Sequence, residues 1–127
     1  MPKFAGRTFQ TWARAHERPV ATRRVAYFHG CGANWSEPDV AQKTVELLEW
    51  AGCQVDVPKG QLCCGLPAQS NGMFDLARKY TRRMARTLAP AAREVDIVGT
   101  STSCTLMLKR EAREILGLEN DADLRTV

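Results

Sequence analysis

The chain has 127 residues, 44% of them apolar and 25% charged, and a net charge of +4, a composition that suits one globular core and excludes a low-complexity or disordered polymer. It holds no run of eighteen apolar residues, and its opening MPKFAGRTFQTWARAHERP has no apolar signal core, so neither a membrane-spanning helix nor export is expected. Five cysteines at irregular spacing then argue for reduced thiols in a cytoplasmic setting rather than a disulfide framework.

Residues 1–22 read as an N-terminal arm. Within it FQTWARAH predicts a short helix, ended by Pro19, whose Phe9 and Trp12 need a surface to pack on. The apolar run VAYFH, Val25–His29, predicts the first strand. Ser36 as N-cap, Pro38 in the first turn and Gly52 at the far end predict a helix with Val40, Thr44, Val45, Leu48 and Ala51 on its apolar face. QVDV, Gln54–Val57, is the second strand, stopped by Pro58 and Gly60. A helix from about Asn71 places Met73, Leu76, Ala77, Tyr80, Met84 and Leu88 on one face, and Pro90 closes it. The third strand is VDIVG, Val95–Gly99. A last helix from about Ser103 to Leu116 has an inner stripe of Cys104, Leu108, Ala112 and Ile115.

Short β-branched strands alternating with amphipathic helices predict an α/β domain over residues 23–120. It is a three-layer parallel sheet built from three strand–loop–helix repeats, with the arm before it and residues 121–127 as a truncated tail. That topology sorts the cysteines, because ligands of such sheets bind beyond the carboxyl ends of the strands. Cys31 lies two residues after the first predicted strand, Cys63 and Cys64 lie in the loop after the second, and Cys104 opens the last helix. All four meet at one edge. Cys53 precedes the second strand and belongs to the opposite edge, as a small buried residue.

Adjacent Cys63 and Cys64 do not favour a mutual disulfide, since neighbouring Cα atoms lie about 3.8 Å apart, below the usual bridged range. Buried free thiols, thiol redox chemistry and metal ligation remain. Four converging sulfurs suggest zinc or an iron–sulfur centre, because the thiolate is the metal-binding form of cysteine. The spacing is neither a pair of C-x-x-C zinc knuckles nor a ferredoxin run. Two neighbouring ligands are awkward on one tetrahedral ion and more natural on a multi-iron cluster. Gly65 would then give the backbone access to it, and Pro67 would stiffen the exit. No C-x-x-C is present to support a redox enzyme. His29, near the same edge, reads as a satisfied histidine at a strand end.

The pieces FHGC (28–31), CCGLP (63–67) and TSTSC (100–104) resemble the cysteine-rich CCG domain. That family's pattern is a cysteine, a long gap, Cys-Cys-Gly, another long gap and C-x-x-C; here 31 residues separate Cys31 from Cys63, and Ser101 stands where the first cysteine of the last pair is expected. The serine, its flanks and the arm most resemble C-type subunits of anaerobic glycerol-3-phosphate dehydrogenases. The resemblance implies an iron–sulfur electron-transfer domain with a [4Fe–4S] cluster, noncubane in some relatives, held by Cys31, Cys63, Cys64 and Cys104. It implies flavoprotein dehydrogenase partners, electron flow toward quinone, and peripheral placement at the inner face of the cell membrane through the complex. It also implies a second CCG repeat and a ferredoxin-like region that a single repeat lacks. The alternative is a zinc-binding or metal-free structural module.

Charge is concentrated twice. Residues 1–24 carry six basic residues against Glu17, and Phe74–Arg93 carries six against Asp75. Such segments can meet an acidic partner, an anionic membrane or nucleic acid, or can be solvated helix faces; no nucleic-acid motif accompanies them. Trp35, Trp50, Met73 and Met84 read as packing residues.

Overall fold

The computed structural model describes residues 3–127. Its centre is a three-stranded parallel sheet of β1 (Arg23–Phe28), β2 (Cys53–Asp56) and β3 (Asp96–Gly99), in the order β2-β1-β3. Arg23 stands opposite Cys53 and Val25 opposite Asp96, so all three strands point their carboxyl ends the same way. β1 is the middle strand and its Val25–Phe28 run is buried on both faces, as the continuous apolar stretch requires.

Two cores result. On one face Val25, Tyr27, Val45, Val55 and Cys53 pack with Phe9; on the other Phe28 packs with Met84, Leu88, Met107 and Leu124. The helices covering the first face are α1 (Phe9–Ala15) and α3 (Pro38–Trp50), joined by α2 (Gly30–Trp35) beside β1. The second face is covered by α4 (Leu66–Ser70), α5 (Phe74–Ala92), α6 (Thr102–Leu106), a π turn (Met107–Glu111), α7 (Ala112–Glu114) and α8 (Ala122–Thr126). This is the three-layer α/β arrangement expected of the sequence, and Cys53 lies buried at the amino end of β2.

The arm is held on the domain's own sheet. Phe9 is wholly buried, edge-on to Tyr27 at 5.6 Å and to His29 at 5.3 Å. Trp12 stacks on His16 at 4.3 Å, and His16 Nε2 meets the Glu49 carboxylate of α3 at 3.0 Å. α1 is therefore part of the fold.

Several local readings are corrected. Ser36 ends the unforeseen α2 instead of capping α3, whose N-cap is Glu37 and whose inward residues are Ala41 and Val45, with Val40 45% exposed. α5 starts after Met73, and its buried face is Ala77, Thr81, Met84, Ala85, Leu88 and Ala89, leaving Met73 and Leu76 exposed. Pro90 does not close α5. It sits in the last turn, where the missing N–H removes only one late helical bond, and the helix runs to Ala92. The final helix is interrupted by the π turn, whose wider ring inserts one residue and carries Leu116 to the inside while Ile115 turns outward. The tail forms α8, capped by the Asp121 carboxylate on the Leu124 N–H, with Leu124 sealed against α5. Of the four residues read as packing, only Met84 is buried.

Candidate metal centre

The strand order decides where a ligand fits. The chain steps from β1 to β2 on one side and then crosses back to β3 on the other, so connections leave the carboxyl edge in opposite directions between β1 and β3. That divergence opens a crevice. Cys31 stands in the first turn of α2 after β1, Cys104 in the first turn of α6 after β3, and Cys63 and Cys64 in the loop between β2 and α4.

Cys104 joins the thiols. Mutual hydrogen bonding shifts the pKa values of Cys31, Cys104 and Cys64 against one another. Cys64 and Cys104 are buried, while Cys31 and Cys63 are half-buried. The hydrogen bond with Cys104 and the Leu66 N–H hold the Cys64 thiol below its ordinary range against burial and the neighbouring cysteines. The hydrogen bond with Cys104, together with burial, pushes Cys31 far up, against the N–H groups of Cys31 and Gly32. The bond with Cys31 lowers Cys104, but the bond with Cys64 and burial leave it raised.

Gly30 marks the close packing around this point. A Cβ there would lie 3.2 Å from Ser101 Cβ and 3.7 Å from Cys104 Sγ, so Ser101 fills its place in the family pattern beside the thiols. Ser101 also hydrogen-bonds Cys104, which favours the thiolate. Gly65 N–H donates to Cys63 Sγ at 3.4 Å. The need for glycine at 65 comes from α5: a Cβ would approach Thr81 Oγ1 to 2.7 Å and the Ala77 carbonyl to 2.8 Å. Thr81 in turn donates to the Cys64 carbonyl at 2.9 Å.

A buried polar network ties these loops together. Gln61, fully buried, accepts the His29 N–H at 3.1 Å and donates to the carbonyls of Tyr27 at 2.9 Å and Pro58 at 3.1 Å. Gln10 of α1 donates to the Gln61 carbonyl at 2.8 Å and lies 3.2 Å from His29 Nε2, and its backbone N–H bonds Asn34 Oδ1 at 2.9 Å. His29 Nδ1 is 2.6 Å from the Gly30 carbonyl, so the proton is assigned there and Nε2 accepts from Gln10. Burial pushes the His29 pKa below its ordinary value, which keeps the ring neutral. Sequence reasoning missed Gln10 and Gln61: no short-range pattern marks a glutamine whose partners lie 51 and 34 residues away.

Cys31, Cys64 and Cys104 lie within reach of one another and Cys63 neighbours Cys64, while Cys53 is buried at the amino end of β2. Among the described residues no three His, Cys, Asp or Glu side chains close around one point as a single-ion cage does. Thiolates are ligands that zinc and iron–sulfur centres share, so the donor set by itself suits either.

The family model for the CCG cysteine-rich domain matches residues 25–109. The chain belongs to that family. It is 31% identical over 124 residues to the C subunit of anaerobic glycerol-3-phosphate dehydrogenase from Escherichia coli (strain K12), covering 94% of this chain and 31% of that protein. It is 41% identical over 86 residues to lactate utilization protein A of Bacillus licheniformis and 40% over 86 residues to that of Bacillus subtilis (strain 168); each alignment covers 68% of this chain and 35% of the relative. The chain thus spans about a third of the length of these relatives. No solved structure matches it. Among the described residues no helix is long and apolar enough to cross a membrane.

Proposed function

We propose that this CCG domain is an iron–sulfur electron-transfer module of an anaerobic glycerol-3-phosphate dehydrogenase C-type subunit, taking electrons from a flavoprotein partner and passing them toward quinone. The observation that supports the reading is that Cys31, Cys64 and Cys104 lie within reach of one another, with Cys63 next to Cys64. These four cysteines would hold a [4Fe–4S]-type cluster, which when bound supplies reversible one-electron storage.

The chain's own groups do the rest. Cys64, whose thiol is held below its ordinary range, would bind most readily as thiolate, and Cys31 and Cys104, held above theirs, would lose their protons on binding metal. Backbone N–H groups reach the sulfurs of Cys31, Cys63 and Cys64, and such bonds favour the more negative, reduced state of a sulfur-ligated centre. Burial of Cys64 and Cys104 keeps water away, while half-exposed Cys31 and Cys63 face outward. A partner that exchanges electrons would dock on that side. The partners in this reading are flavoprotein subunits, a second CCG repeat and a ferredoxin-type region, assembled in the cytoplasm at the inner membrane face.

The test is iron, zinc and acid-labile sulfide per chain after anaerobic purification. Iron and sulfide in near-equal amounts are expected. Zinc without sulfide would replace the cluster with a structural ion, and a folded chain with neither would overturn the reading for this repeat by itself.

A further inference from the structure

A second feature of the carboxyl edge lies outside the thiol crevice. A cleft of about 420 Å³ opens between α1 and the chain leaving β2, with Arg14, Arg18 and Lys59 on its walls. Small-molecule sites occupy roughly 300–1,000 Å³. Ala13, Val57 and Pro58 supply an apolar wall, and Gln10 closes the inner end, where its amide already bonds Gln61.

The charge in this cleft is only partly compensated. Among the described residues no carboxylate lines it. The adjacent Asp56 is shared between Arg24, with contacts at 2.8 and 3.3 Å, and Arg18, with an ion pair at 3.4 Å. Among the described residues neither Arg14 nor Lys59 makes an ion pair. The last turn of α1 favours a cation at Arg14 through the helix dipole, but that accounts for neither Arg18 nor Lys59 across the cleft. Arg14 and Lys59 bring two charges to the cavity that no carboxylate of the described residues neutralises, and Arg18 adds a third shared with Asp56. Two guanidinium forks and an ammonium match the oxygens of a phosphate or carboxylate.

We propose that this cleft binds a small organic anion through a phosphate or carboxylate group, with the apolar wall of Ala13, Val57 and Pro58 taking the rest of the molecule. The site does not depend on what the thiols hold. It stands apart from them, separated by Gln10 and Gln61.

The test is a titration of the isotopically labelled full chain with inorganic phosphate and, separately, acetate, at constant ionic strength set by chloride. Amide shifts are followed at residues 10–18, Val57 and Lys59. Saturable shifts confined to these stretches are expected with at least one of the two anions, and which one saturates names the preferred group. The double variant Arg14→Gln with Lys59→Gln should weaken binding at least about tenfold while leaving the rest of the spectrum in place. Arg18→Gln alone should shift it in the same direction. Shifts that never saturate, that chloride reproduces, or that survive these substitutions would overturn the proposal.

Discussion

Replacing Gly65 by alanine tests how the thiol loop is seated. Gly65 has a φ of +101°, and the added methyl would lie 2.7 Å from Thr81 Oγ1 and 2.8 Å from the Ala77 carbonyl. The threonine can rotate, at the loss of its bond to the Cys64 carbonyl; the helix backbone cannot yield without moving α5. A left-handed backbone costs a residue with a side chain about 1–2 kcal/mol, and forced overpacking about 1–3 kcal/mol. The expected loss is about 2–5 kcal/mol, a large share of an ordinary domain's 5–15 kcal/mol. Gly60→Ala separates the two parts, because Gly60 also has a positive φ, +84°, but among the described residues nothing lies within 4 Å of its Cβ position. It should show the backbone cost alone. Urea unfolding followed by tryptophan fluorescence, on both variants and the parent, gives the numbers. A loss at Gly65 no larger than at Gly60 would refute the close approach to α5.

Three further substitutions probe other parts of the fold. Leu116→Ala should cost about 2–5 kcal/mol and Ile115→Ala less than about 0.5 kcal/mol, because the π turn leaves Leu116 1% exposed and Ile115 50% exposed; a larger loss at Ile115 in thermal unfolding would mean that the turn is absent. Phe9→Ala should lower stability by about 3–5 kcal/mol in urea unfolding, and a neutral result would detach α1 from the sheet. Gln61→Leu removes the acceptor of the His29 N–H and a donor to Tyr27, so about 2–4 kcal/mol should be lost in the same assay. Stability equal to the parent would show that the Gln61 bonds do not anchor the loop.

Most of the architecture was legible because it rests on local pattern. The runs around Val25, Val55 and Ile97 are β-branched and short, and each precedes an amphipathic stretch, so the layer order and the edge that gathers the loops followed. Placing Cys53 opposite the other four needed nothing beyond which end of a strand it occupies. What escaped reading depended on wider context. α2 and α4 have six and five residues, too short for periodicity to show. Asn71 and Gly72 look like a helix start but form the break between α4 and α5, with the Asn71 amide turned back on the Pro67 carbonyl at 2.7 Å. The π turn has no composition signal, so the stripe ending at Ile115 ran one residue short. Asp121 three residues before Leu124 was a readable cap, yet its helix has meaning only against α5. At the site, the thiols could be grouped by topology, whereas the Gln10–His29–Gln61 network could not.

The central claim is that four of the five cysteines act as one ligand set. The most direct measurement is iron and acid-labile sulfide per chain, after anaerobic purification, for five single variants: Cys31→Ala, Cys53→Ala, Cys63→Ala, Cys64→Ala and Cys104→Ala. Cys53→Ala should retain the parent's iron and sulfide, while each of the other four loses most of both and stays folded. Equal retention in all five, or a loss as large at Cys53 as at Cys104, would contradict it.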